Sequence, residues 1–400
     1  MEVGEERHRL SVAAAFGLIA IGFASSTLVS PLYAFYQHRF PFSIAMLTVI
    51  YAAYVIGNLV ALLFLGRLSD RLGRRPTALL ALAAIAVAVA LFLAARDVGW
   101  LIAGRIASGL AVGLGSGTGT AWLVDLHPRI NRHATLLATQ ANLGGVGVAP
   151  LIAGLLAAYA PYPLLLPFIL FSICSGIVLA MVSAARETVT RAPMLREHFR
   201  PKLALPAGSR AAFIAPAVTA FVTFSFVGFY ASLLPTILAE AMQVQSPAVG
   251  GAILAELFGI AVLGATLTRR TGSRFAMLSG LTSILLSLAL LVLAQSTGSL
   301  MLLIVGTACG GITIALGHRG ALAVVNQIAP PDSRAGLVSI YFVICFFGNS
   351  LPIVAVGIIS TLYGPIMATV CFAGLMIVLA AGGFLTGLRY APPPEAEPAR

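Results

Sequence analysis

The sequence predicts an all-α polytopic membrane protein, and two observations carry that prediction. Apolar residues make up 59% of the 400 residues and charged residues only 9%, whereas soluble domains have about 45–50% and about 25%. Uninterrupted apolar runs recur along the chain, each with the roughly 20 residues that a helix needs to cross the hydrocarbon core. Because polarity does not alternate within these runs, they predict membrane-spanning helices rather than the strands of a barrel.

Twelve such runs can be counted, and they are numbered here as spans one to twelve. Their predicted limits are 10–36, 43–66, 76–95, 98–124, 133–160, 162–184, 211–238, 247–268, 274–294, 298–325, 335–361 and 364–388. The longest hydrophilic stretch separates six spans from six. We therefore predict two pseudo-symmetric six-helix bundles at 10–184 and 211–388, a cytoplasmic linker at 185–210 and a cytoplasmic tail at 389–400.

Basic residues predict the orientation of the chain. With the N-terminus inside, 20 of the 24 lysines and arginines lie on the cytoplasmic side, which agrees with the positive-inside rule. We therefore expect a multi-pass protein of the cell's inner membrane with both termini in the cytoplasm. The net charge of +11 accordingly reflects topology and attraction to the lipid bilayer. The basic residues are scattered over short loops without interleaved aromatic residues, so we expect no nucleic-acid partner.

One short pattern occurs in both halves of the chain. The segment GRLSDRLGRR at 66–75 aligns with ATLTRRTGSR at 265–274 after a shift of 199 positions, so that Arg75 falls on Arg274. A second alignment, shifted by 202 positions, places Gly109 on Gly311 and Pro150 on Pro352. Ordered matches on equivalent spans indicate duplication of a six-helix unit, the architecture of many transporters.

Twelve spans in two related halves, with GRLSDRLGRR between spans two and three, resemble the major facilitator superfamily and in particular its 12-span drug–proton antiporter group. The resemblance covers residues 10 to 388. It implies a monomeric carrier of a small-molecule substrate and protons, with no cofactor, no metal and no enzyme activity. The six histidines are dispersed without metal-ligand spacing, which also argues against an enzyme.

The resemblance further implies that the charged loop is a conformational latch. Arg74 would bridge Asp70 to Asp125, and Asp70 would face the N-terminus of span eleven near Ala335 and Gly336, where backbone N–H groups favour a carboxylate. An ordinary positive-inside loop is the alternative; it accounts for the arginines but not for Asp70 or the glycine spacing. The predicted latch residues are Gly66, Asp70, Arg71, Gly73, Arg74, Arg75 and Asp125.

Span four contains a charge on a glycine-lined face. Arg105, Gly109 and Gly113 recur every four residues and therefore share one side of the helix. This pattern resembles the family's fourth-span motif, which is associated with proton-coupled carriers. An arginine in hydrocarbon normally faces a cavity or a partner, although Arg105 could instead snorkel to the outer surface.

Span five carries small residues around a proline. Gly145, Pro150 and Gly154 match the family's antiporter motif and suit a helix packed tightly on its neighbour. Ala149 and Ala153 stand where that motif has glycine. Alanine is still small, so the predicted close packing is unaffected. The two alanines weaken only the inference from this motif to export.

Proton coupling needs a group that gains and loses a proton inside the membrane. Glu256 is the only acidic residue well inside a span, near the middle of span eight, and His318 lies within span ten. Together with Arg105, these are the predicted proton-coupling residues. The alternative for Glu256 is a structural pair with a cation or a tyrosine hydroxyl.

Polar and aromatic residues predict a cavity for amphiphilic, drug-like solutes. Each tyrosine could equally be an anchor at the membrane interface. The predicted function is efflux coupled to proton entry. The alternative is proton-coupled or facilitated uptake of a small organic anion, with Arg105, His318 and Arg319 holding the charge. The predicted cavity residues are Tyr51, Tyr54, Asn58, Gln140, Asn142, Ser225, Tyr230, Glu256, Arg319, Tyr341 and Asn349.

Overall fold

The computed structural model describes residues 2–127, 131–190 and 203–389. Residues 191–202 of the predicted linker and 390–400 of the predicted tail lie outside this part. Within it, twelve helices are long and apolar enough to cross a membrane, which confirms the predicted all-α, twelve-span fold class. In chain order the spans are Glu5–Arg39, Ile44–Leu65, Arg74–Leu93, Val98–Leu126, His133–Tyr159, Leu166–Ala184, Ala207–Ala241, Pro247–Leu267, Ser273–Thr297, Leu300–Ile328, Arg334–Tyr363 and Pro365–Arg389.

The ends of the spans are set by local chemistry. No end differs by more than five residues from the sequence prediction. Ser43 accepts a hydrogen bond from the backbone N–H of Met46, and Asp97 accepts one from Gly99, so both side chains cap helix N-termini. Gly298 ends span nine in the left-handed conformation (φ 65°) that glycine adopts without strain.

Three spans are interrupted helices. Span one consists of Glu2–Thr27, a 3₁₀ turn at Ser30–Leu32 and Tyr33–Arg39. Span ten consists of Leu300–Thr313, a π-helical turn at Ile314–His318 and Arg319–Ile328. Span eleven consists of Arg334–Gly348 and Leu351–Tyr363. A further short helix, Leu68–Leu72, lies in the charged loop, and span seven is preceded by a 3₁₀ turn at Ala207–Ser209.

The described residues form two compact units. The first comprises those of 1–201 together with 231–262, and the second those of 202–230 together with 263–400. Spans one to six therefore lie in the first unit, with the end of span seven and most of span eight. The division into six-helix bundles at 10–184 and 211–388 stays a prediction from the sequence.

Glycines on spans two and four bring two backbones into contact within the first unit. A Cβ atom at Gly109 would lie 1.9 Å from the carbonyl oxygen of Tyr54, and one at Gly57 would lie 2.0 Å from that of Ile106. At Gly113, a Cβ atom would lie 2.4 Å from the Cβ of Ala61. Only glycine fits at such crossings, which allow close van der Waals contact where no hydrophobic effect drives helices together.

Span five packs against spans one and eight through its own small residues. A Cβ atom at Gly145 would lie 2.2 Å from the carbonyl oxygen of Ala20, and one at Gly154 would lie 2.4 Å from that of Pro247. Conversely, a Cβ atom at Gly251 would lie 2.3 Å from the carbonyl oxygen of Pro150. Span eight is thus held on span five, which explains why residues 231–262 belong to the first unit.

The repeated loop makes the same contact in each half of the sequence. The guanidinium of Arg75, at the start of span three, donates a hydrogen bond to the carbonyl oxygen of Ser183 at the end of span six. Arg274, at the start of span nine, donates to the carbonyl oxygens of Gly387 (3.1 Å) and Leu388 at the end of span twelve. Each arginine satisfies carbonyls that a helix end leaves unpaired, which supports duplication.

The crossing of spans two and four gives a stability prediction. We expect Gly109→Ala to lower the free energy of unfolding by about 1–3 kcal/mol, because the added methyl group must displace backbone. Gly117→Ala, on the same helix with nothing within 4 Å of its Cβ position, is the matched control and should not destabilise. Unfolding of both variants in mixed micelles checks this. Equal stability would contradict the proposed backbone contact.

Candidate functional site

The charged loop forms an ion-pair network around the buried Arg74 in the first unit. Arg74 donates hydrogen bonds to Asp70 (2.6 Å) and Asp125 (2.8 Å), and also to the hydroxyl of Ser69 at 2.7 Å. The Arg74 side chain is 8% exposed, whereas that of Asp70 is 57% exposed. One guanidinium therefore ties the loop to the end of span four, in the arrangement that the family resemblance implies. The latch function itself stays a prediction.

A residue that the sequence analysis did not single out, Glu187, completes this network. Its two carboxylate oxygens accept hydrogen bonds from the backbone N–H groups of Arg74 (2.8 Å) and Arg75 (2.9 Å). These donors are the first of span three, so Glu187 caps that helix from the end of span six and complements its dipole. The neighbouring Thr188 hydroxyl donates to Asp125 at 2.8 Å.

Glycines shape the loop around this cap. Gly73 has φ 106°, a conformation that residues with side chains rarely adopt. A Cβ atom there would also lie 2.5 Å from the carboxylate of Glu187, and one at Gly66 would lie 2.8 Å from the carbonyl oxygen of Leu62. The glycine spacing is therefore a steric requirement. Arg71 is half-buried, and no hydrogen bond joins it to a described residue.

Arg105 lies completely buried between spans one, two and four. Its guanidinium donates to the carbonyl oxygens of Ser26 and, at 3.2 Å, Tyr51. The rings of Tyr51 and Tyr54 lie 4.9 and 5.2 Å from its central carbon, within the range of cation–π attraction. Arg105 is 0% exposed, so it does not snorkel to the outer surface. Its Nε atom has no partner among the described residues.

Asn58 extends this cluster along span two. Its amide donates to the Tyr54 hydroxyl at 3.0 Å. The Cβ positions of Gly109 and Gly113 lie against the backbones of Tyr54 and Asn58. The structure therefore brings four predicted residues of spans two and four, the two tyrosines, Asn58 and Arg105, to one buried crossing.

Glu256 lies in span eight, half-buried, in the first unit. Its neighbours Ala255 and Phe258 contact span five at Gly147. Within the described ranges no side chain forms an ion pair or a hydrogen bond with Glu256. The structural pair considered from the sequence is therefore not formed there, and the carboxyl group can exchange a proton without breaking one.

The half-buried His318 and the buried Tyr341 form a pair in the second unit. The His318 ring Nδ1 lies 2.9 Å from the Tyr341 hydroxyl, and the two rings stack at 5.9 Å. His318 ends the π-helical turn of span ten, a distortion that frequently marks functional sites. Next to it, Arg319 donates to the Thr271 hydroxyl at 2.5 Å, and its Nε has no partner among the described residues.

The remaining predicted residues of the second unit lie on spans seven and eleven. The Tyr230 hydroxyl accepts a hydrogen bond from Thr307 at 3.3 Å. Ser225 donates to the carbonyl oxygen of Phe221, one turn earlier in its own helix. The carbonyl oxygen of Asn349 lies 2.7 Å from the Cβ position of Gly228, so these two spans also cross closely.

Gln140 and Asn142 were both predicted to line the substrate cavity, but they lie on opposite sides of span five. Two residues apart on a helix differ by about 200° around its axis. Gln140 is exposed and lines an apolar groove between spans one, five and six. Both residues were predicted from their polarity alone. Polarity does not specify which face of the helix a residue occupies.

A comparison with protein families matches residues 14–351 to the Major Facilitator Superfamily. The chain is 28% identical over 172 residues to Multidrug resistance protein D of Escherichia coli strain K12, and this alignment covers 43% of either protein. It is also 28% identical over 276 residues to Tetracycline resistance protein, class C, of Escherichia coli, over 66% of this chain and 68% of that protein.

A solved structure shares the fold. The crystal structure of a bacterial homolog to the human lysosomal transporter Spinster, in its inward-facing and unoccupied conformation, superposes with a TM-score of 0.73. The alignment covers 97% of this chain and 99% of that one at 15% sequence identity. At this identity the likeness concerns the fold alone.

The cap on span three gives a second stability prediction. We expect Glu187→Ala to cost about 1.5–3 kcal/mol of unfolding free energy, because two backbone donors lose a charged acceptor. Glu5→Ala, which removes an exposed pair with Arg9, should cost no more than about 1 kcal/mol. Unfolding in mixed micelles compares the two, and equal losses would contradict the capping role.

Proposed function

This chain belongs to the Major Facilitator Superfamily, and on that basis we propose that it exports small amphiphilic solutes in exchange for protons. Twelve spans and the family make it a membrane transporter of small molecules and not an enzyme. The solute, the direction and the coupled ion are the proposed part. We place the protein in the inner membrane with both termini in the cytoplasm, on the strength of the distribution of basic residues.

The observation that carries the proposal is the unpartnered Glu256. A carboxyl group inside a membrane span is costly and is by default a functional candidate. With no ion pair or hydrogen bond to a described residue, Glu256 is available to a proton in one state and to a solute in another. Exchange of the two is antiport.

The chemistry around the predicted cavity residues supports an amphiphilic solute. Among the predicted cavity residues, four tyrosines and four side-chain amides outnumber the two charged residues, Glu256 and Arg319. Aromatic faces and single hydrogen-bonding groups bind apolar molecules that carry few polar atoms. Two of the chain's relatives are named for resistance to drugs, which supports export.

Alternating access follows from the family architecture, in which two halves rock about a midplane site. We propose that the network of Asp70, Arg74 and Asp125 holds one of the two states. Glu187 positions Arg74 by fixing the start of span three. His318 and Arg105 remain proposed participants in proton coupling.

Uptake of a small organic anion is the second candidate, because two guanidiniums in the spans lack a carboxylate partner. Neither Arg105 nor Arg319 forms an ion pair with a described carboxylate. A solute carboxylate would supply the missing charge. We favour export because Arg105 is fully buried, with its two terminal nitrogens on backbone carbonyls and its guanidinium beside two tyrosine rings.

Reconstitution into proteoliposomes tests the export proposal. An inside-acidic pH gradient should drive accumulation of a fluorescent lipophilic cation, because protons leaving the lumen are exchanged for the solute. Glu256→Gln should abolish this accumulation, since the amide carries no exchangeable charge. The matched control is Glu240→Gln, an exposed acid at the end of span seven, and it should transport normally. Gradient-driven accumulation in Glu256→Gln would remove Glu256 from the mechanism.

The same vesicles separate export from anion uptake. Our proposal predicts no uptake of benzoate beyond that of protein-free vesicles under an outside-acidic gradient, because neutral benzoic acid crosses the bilayer unaided. If uptake occurs and is lost in Arg319→Ala but not in Arg269→Ala, an exposed loop arginine, the second candidate replaces the first.

A further inference from the structure

Two histidines that lie far apart in the sequence meet at the surface of the first unit. His8 lies near the start of span one, and His127 directly follows span four. The centroids of their rings lie 5.7 Å apart, and the ring planes are inclined by 62°. His8 is exposed and His127 is half-buried. The six histidines are dispersed in the sequence, and the fold brings these two together.

The hydrogen bonding of His127 leaves one ring nitrogen available as a ligand. Its Nδ1 lies 3.0 Å from the carbonyl oxygen of Leu123, one turn earlier in span four. A carbonyl oxygen can only accept, so Nδ1 donates its hydrogen and the lone pair of the neutral ring lies on Nε2. Histidines that bind metal ions are commonly oriented in this way, with the second nitrogen donating to a backbone carbonyl.

His8 can supply the second nitrogen. No hydrogen bond joins its side chain to a described residue, and its exposure allows the ring to turn. Imidazole nitrogen binds Zn²⁺ at about 2.0 Å, so two rings on one tetrahedral ion place their centroids about 5–6 Å apart. The observed separation of 5.7 Å lies in this range. No group of three or more His, Cys, Asp or Glu suited to a metal ion occurs among the described residues, so water would supply the remaining ligands.

The charges around the two rings permit a cation. The helix of span four ends at Leu126, and a helix C-terminus carries partial negative charge. Asp125 adds a carboxylate two residues before His127, although Arg74 also binds it. Residues 5–9 contain two acids and two arginines, whose charges cancel.

We propose that His8 and His127 together bind one divalent transition-metal ion, which holds the start of span one against the end of span four. Imidazole ligands suit Zn²⁺, Cu²⁺ and Ni²⁺, whereas Mg²⁺ and Ca²⁺ prefer oxygen ligands. The proposal goes beyond the transport function and does not depend on which solute is carried.

Calorimetric titration of Zn²⁺ into metal-free protein that carries no affinity tag tests this site. We expect one ion per chain, and an affinity about tenfold or more lower in His8→Ala, because one of the two protein ligands is lost. The matched control is His38→Ala, which removes an exposed histidine near the other end of span one and should bind Zn²⁺ normally. Unchanged affinity in His8→Ala, equal losses in both variants, or equally tight binding of Mg²⁺ would overturn the proposal.

Electron paramagnetic resonance with Cu²⁺ counts the ligands directly. The unmodified protein with one equivalent of Cu²⁺ should show hyperfine splitting from two imidazole nitrogens. His8→Ala and His127→Ala should each show splitting from one. His8→Ala removes no hydrogen bond to a described residue, so its result does not depend on a change in folding. A single nitrogen in the unmodified protein, or two nitrogens in His8→Ala, would contradict a shared site.

Discussion

The whole molecule depends on one constraint, the absence of water from the hydrocarbon that surrounds its spans. Every polar group within a span must find its partner in the protein or carry the cost of having none. The two terminal nitrogens of Arg105 meet this constraint through the carbonyl oxygens of Ser26 and Tyr51, and two tyrosine rings lie beside its guanidinium. Glu256 forms no ion pair or hydrogen bond with a described residue, and a carboxyl group that carries this cost is a candidate for proton exchange.

The same constraint determines how the helices pack. Lipid is as apolar as leucine, so close backbone approach has to replace the hydrophobic effect. This explains why Gly109, Gly145 and Gly251 all lie against a carbonyl oxygen of a neighbouring span. It also explains why, apart from Arg105 and Glu256, the charged groups of the first unit lie at or beyond the helix ends, where Glu187 and Asp125 meet Arg74. The close packing inside the spans and the ion-pair network at their ends thus have the same cause, which is that the hydrocarbon around the spans contains no water.

The sequence predicted the spans well and the partnerships between them only in part. Hydropathy located the spans because it measures transfer into lipid, and the resemblance to the family implied that Arg74 would join Asp70 and Asp125. Glu187 escaped prediction because its contact with Arg75 joins residues 112 positions apart, and its only signal was a lone acid directly after span six. His318, which pairs with Tyr341, ends a π-helical turn. No residue pattern in the sequence predicts that turn. The assignment of Gln140 and Asn142 to the cavity stays a prediction, because polarity alone does not specify a helical face.

The proposed mechanism rests on proton exchange at Glu256. This exchange can be measured directly as the release of protons when a solute binds. If solute and proton compete for one site, binding of either must displace the other. Adding a transported lipophilic cation to purified protein in weakly buffered detergent should release protons, detected with a pH-indicator dye, and Glu256→Gln should release none. Equal proton release from the variant, or none from the unmodified protein, would contradict the account.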